Sequence, residues 1–83
     1  MKEIDLIKLG FTRHDETPES SGSDEPWYYY VKDIGQIGFL SSDSDSVEAK
    51  ANKWSVEVLD GDVVFTKASE LKTVIALLEK NKI

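Results

Sequence analysis

The sequence predicts an α+β fold: a five-stranded antiparallel meander, with a short N-terminal helix and a longer C-terminal helix on one face. Three observations predict it. Apolar residues recur at helical spacing near the two ends of the chain. Between them lie five runs with strand-forming composition or alternation. Those runs are joined by short returns or loops, which implies an antiparallel meander with one face left open. A partly closed barrel is the alternative.

Residues 3–9 read as the first helix, with Ile4, Leu6, Ile7 and Leu9 as its apolar stripe and Gly10 at the left-handed position that ends it. Two turns are too short to persist alone, so packing on the sheet must hold them. Phe11–Asp15 alternates and reads as the first strand. The stretch 16–26 has no apolar residue other than proline and reads as an exposed loop.

The second strand is the run Trp27-Tyr28-Tyr29-Tyr30-Val31-Lys32, which holds half of the chain's eight aromatic residues. Asp33-Ile34-Gly35 turns into a third strand at 36–41. There Gly38 marks a bulge or a close approach to something above the sheet. The polar stretch 42–46 leads to a helical turn at Val47–Ala51. Residues 53–59 alternate as a half-buried strand, and Asp60-Gly61 signals the hairpin into a fifth strand at 62–65. In the final helix, Leu71, Val74, Ile75 and Leu78 fall at i, i+3, i+4 and i+7. Thr66 or Ser69 caps its start, and Lys80 and Lys82 suit its negative end.

At 83 residues the chain holds one domain, 1–83, and its lack of cysteine excludes disulfides and zinc–thiolate sites. The N-terminus has no continuous apolar stretch of the signal-peptide kind, and no run is long enough to span a membrane. These features point to a cytoplasmic protein. A net charge of −6 disfavours nucleic acid and anionic membranes as partners. The acidity is concentrated in residues 1–60, while residues 61–83 are mildly basic.

The motifs that carry chemistry are weak. His14 beside Asp15 lacks the strained nucleophile turn of a hydrolase triad. Asp43-Ser44-Asp45 imitates the start of a calcium loop but lacks the glycine and the closing glutamate. The glycines do not form a phosphate cradle. The sequence therefore points to no enzyme, no cofactor and no metal.

The tyrosines remain. If Val31, Ile37, Phe39, Trp54, Val56 and Val58 pack under the helices, then Tyr28, Tyr30, Gln36, Leu40, Ser55 and Glu57 look outward, joined by Thr12 and His14. The expected protein-binding residues are Tyr28, Tyr30, Leu40 and Glu57, because tyrosine joins apolar area to a polar tip and is enriched at interfaces. A protein partner or a homodimer is the expectation. An acidic inhibitor or nucleic-acid mimic, acting on a basic protein through Glu16, Glu19, Asp24, Glu25, Asp43 and Asp45, is the alternative.

The layout from Leu9-Gly10-Phe11, through Trp27-Tyr28-Tyr29-Tyr30 and Ile37-Gly38-Phe39-Leu40, to Glu70–Glu79 resembles short uncharacterised bacterial and bacteriophage proteins. What that resemblance implies is a compact α+β domain; it transfers no functional residue to any position.

Overall fold

The computed structural model describes residues 1–16, 26–59 and 61–82. Its elements run α1 (Glu3–Lys8), β1 (Thr12–Glu16), β2 (Trp27–Ile34), β3 (Ile37–Ser41), α2 (Val47–Lys50), β4 (Val56–Val58), β5 (Val64–Phe65) and α3 (Ala68–Asn81). The strands form one open antiparallel sheet in chain order. The expected loop at 16–26 lies, except for its two end residues, outside the described residues, as does Asp60 of the expected Asp60-Gly61 turn.

Local chemistry accounts for the ends of these elements. Helix α1 stops where Gly10 takes φ +86°; Gly10 N–H donates to the Ile7 carbonyl and Phe11 N–H to that of Leu6. This paired closure reverses the chain and aims Phe11 into the core. Asn52 (φ +59°) does the same after α2, with Asn52 N–H donating to Ala49 and Lys53 N–H to Glu48. At the other end of α2, the Ser46 hydroxyl accepts from the Ala49 amide. Thus the serine–aspartate stretch that imitates a calcium loop serves as a helix cap. Helix α3 begins at Ala68 with Lys67 at its cap position and no side-chain cap bond, so neither Thr66 nor Ser69 fills the expected role.

Core packing involves one face of the sheet. Tyr30, Ile34, Phe39 and Val56 from the strands meet Leu6 of α1, Ala49 of α2, Leu71 and Ile75 of α3, and Phe11 and Trp54 from the connections. Leu71 and Ile75 are buried as the helical spacing predicts. In α1 only Leu6 is fully enclosed; Ile4 and Ile7 are about half exposed, because so short a helix turns just one side chain fully inward. Lys32 Nζ stands 3.7 Å from Glu79 Oε1 and ties β2 to α3 at the surface.

The face assignment of β2 is the reverse of the expected one. Tyr30 is 3 % exposed and Tyr28 packs against the core, whereas Trp27, Tyr29 and Val31 lie on the opposite face. The hairpin sets this parity. A two-residue Gly35-Gln36 loop, with Gly35 at φ +61°, pairs Ile34 with Ile37, Lys32 with Phe39 and Val31 with Leu40. Residues directly opposite share a face, so Tyr30 follows Phe39 inward and Val31 follows Leu40 outward. Ile37, expected inside, is 38 % exposed at the end of the sheet.

Candidate outer sheet face

The strand positions facing away from the helices are Thr12, His14 and Glu16 on β1, Trp27, Tyr29, Val31 and Asp33 on β2, Gly38 and Leu40 on β3, Glu57 on β4, and Val64 on β5. Every side chain among them is half-buried or exposed. One cross-strand row runs Thr12, Val31, Leu40, Glu57, Val64 across all five strands. Beside it stands an aromatic stack. The His14 and Tyr29 rings are 5.6 Å apart at 17°, and the Tyr29 and Trp27 rings 5.5 Å apart at 36°.

Beyond the row, the face continues over Gly38. A Cβ built there would come within 2.8 Å of Leu59 Cδ1. The missing side chain thus lets Leu59 lie down on the sheet, the close approach that a strand glycine signals.

This face is acidic as well as apolar. Its strand positions include Glu16, Asp33 and Glu57 but no lysine or arginine. The Tyr29 hydroxyl donates to Glu16 Oε1 at 3.3 Å. Partial burial and the charge of Glu16 hold the Tyr29 phenol above its ordinary range. Asp43 is likewise held above the usual carboxylate range, first by partial desolvation and then by Asp45.

Of the four residues expected to bind, Leu40 and Glu57 stand on this face; Tyr28 and Tyr30 do not. Their environment explains why. The Tyr28, Tyr30 and Trp54 rings form a triangle with centroids 5.7–6.1 Å apart. Glu3 crowns it, accepting from Tyr30 Oη at 2.6 Å and from Tyr28 Oη at 3.3 Å. Burial, then the Glu3 hydrogen bond and charge, push the Tyr30 phenol up to about 12. Arg13 covers the outer side of this cluster, its guanidinium carbon 3.7 Å from the Tyr28 ring centre. Of the expected outward pair, Tyr30 is therefore part of the core and Tyr28 is half-buried against it.

Sequence reasoning missed Trp27 and Tyr29 as the presented aromatics. The signal was available at Asp33-Ile34: a charged residue and an aliphatic one, on alternate faces, extend the strand beyond Lys32. Asp33 shares parity with Trp27, Tyr29 and Val31, and Ile34 with Tyr28 and Tyr30.

Among the described residues no group of histidine, cysteine or acidic side chains could hold a metal ion. No described helix is long and apolar enough to cross a membrane. No family model matches this chain, and no curated protein or solved structure is detectably similar to it.

Proposed function

We propose that this chain is a small non-enzymatic protein-binding domain. The sheet face turned away from the described helices would receive a partner polypeptide bearing basic and apolar side chains. The observation that carries this reading is the His14–Tyr29–Trp27 stack continued by Val31, Leu40 and Leu59, with only acidic charges among the strand positions. Aromatic residues held in a stack offer large contact area at little entropic cost. Glu16, Asp33 and Glu57 favour a partner of opposite charge and disfavour an acidic one. The aromatic and apolar cluster also favours protein association over imitation of nucleic acid, which would need carboxylates in regular rows.

Selection from a random displayed-peptide library on the immobilised protein tests the proposal. Enriched peptides should combine Lys or Arg with apolar residues, lose binding to Tyr29→Ser, and bind more weakly as salt rises. Enrichment without basic residues, or binding indifferent to Tyr29→Ser and Leu40→Ser, would overturn it.

A further inference from the structure

The geometry points to a second copy of this chain as the partner of the β1 edge, through antiparallel β1–β1 pairing centred on His14. This inference stands apart from the face reading, because the edge and not the face makes the contact.

Strand β1 is the longer of the two outer strands, five residues against two in β5, and among the described strands it pairs only with β2. The backbone groups on its free side can be identified. Tyr28 and Tyr30 amides donate to Ser44 Oγ and Ser41 Oγ, on the β3 side of β2. Gly38, the next strand over, offers its carbonyl to the Leu59 amide on the β4 side, in the same alternation. Backbone groups of successive strand residues point to opposite sides, so Trp27, Tyr29 and Val31 face β1. Their partners Glu16, His14 and Thr12 spend their backbone groups on β2. Among the described residues nothing takes the amides and carbonyls of Arg13 and Asp15 on the outer edge; the strand has no proline, and its charged side chains admit only a newcomer that does not oppose like charges.

Charge then selects the register. A two-fold axis through Arg13 would set it against its own copy, and one through Asp15 would do the same with carboxylates; like charges directly opposite are unfavourable. An axis through His14 sets Arg13 opposite Asp15 of the second copy, and Asp15 opposite its Arg13. The hydrogen-bonding residues are then also the complementary charges, which gives four backbone bonds and two cross-copy ion pairs. Within one chain Arg13 and Asp15 already lie side by side, Nη2 to Oδ1 2.8 Å, so both heads are at the right level above the sheet. Such exposed pairs fix register more than they add affinity. The pairing would also bring the His14–Tyr29–Trp27 stacks of two copies edge to edge.

Sedimentation equilibrium of the full chain tests this with charge reversals, circular dichroism confirming that each variant is folded. The wild type should dimerise. Arg13→Asp and Asp15→Arg should each raise the dimer dissociation constant about tenfold or more, by opposing like charges. An equimolar mixture of those two variants should recover a heterodimer of near wild-type affinity, as should the homodimer of the double charge swap. A monomeric wild type, a dimer indifferent to the single reversals, or single variants that fail to recombine would each overturn the inference.

Discussion

The Tyr30 hydroxyl donates a 2.6 Å hydrogen bond to Glu3 Oε2, joining the centre of the sheet to the first turn of α1. A six-residue helix has little stability of its own, so this contact and the burial of Leu6 hold it in place. Burial of the Tyr30 phenol, and after it the bond and charge of Glu3, make the fold sensitive to alkali. The Tyr30 phenol titrates near 10 in an unfolded chain and near 12 in the native state. The native state therefore keeps its proton longer, and the stabilisation is complete below pH 10 and lost as pH rises toward 12. The loss should be on the order of 2 kcal/mol, with Tyr28 acting in the same direction. Urea denaturation at pH 8 and pH 11.5 should show the decline, and Tyr30→Phe should be less stable at pH 8 by about 1–2 kcal/mol with a flatter pH dependence.

Ser41 is 5 % exposed, and its hydroxyl does two tasks: it accepts from the Tyr30 amide at 2.7 Å and donates to the Ser42 carbonyl. Ser41→Ala leaves a buried amide without its acceptor. A stability loss of about 1–3 kcal/mol is expected by chemical denaturation, with faster hydrogen exchange at the Tyr30 amide.

Gly10 holds a conformation that costs residues with a Cβ. Its neighbours leave room, the nearest atom to an added Cβ being Lys32 Nζ at 3.4 Å, so strain in the backbone dominates. Gly10→Ala should cost about 1 kcal/mol by thermal or urea denaturation. A neutral result would mean that the α1 closure is not held in the left-handed form.

Much of this fold was legible in the sequence because its signals are contrasts. Gly10 after a periodic segment, the apolar spacing Leu71–Leu78, and alternation at 54–58 each set one residue type against another. The β2 face was not, because Trp27–Tyr30 places an aromatic at every position and leaves alternation without contrast. What decides it lies elsewhere in the chain: Glu3 and Trp54 for the tyrosines, and the Gly35-Gln36 loop for the register. Placing the turn on those two residues pairs Val31 with Leu40, so a reading with Val31 inward and Leu40 outward cannot hold. Hence the candidate site was half legible: Leu40, Glu57, Thr12 and His14 stand on the expected face, and the aromatic partners are the odd-numbered ones.

The stack itself yields a further prediction. Trp27 is half-buried beside Tyr29, whereas Trp54 is enclosed. Acrylamide should quench the fluorescence of Trp27 far more than that of Trp54, measured in Trp27→Phe and Trp54→Phe separately. A peptide of basic and apolar residues bound to the face should protect Trp27 alone.

Strand β2 turns Tyr28 and Tyr30 toward the core and Trp27 and Tyr29 to the opposite face of the sheet. Urea denaturation of two double variants tests it most directly. Tyr28→Ser with Tyr30→Ser should remove most of the stability, since truncating one large buried aromatic costs about 3–5 kcal/mol and a domain of this size has little more to lose. Trp27→Ser with Tyr29→Ser should stay folded with most of its stability intact. The opposite ranking, a folded tyrosine pair and an unfolded Trp27–Tyr29 pair, would contradict the account.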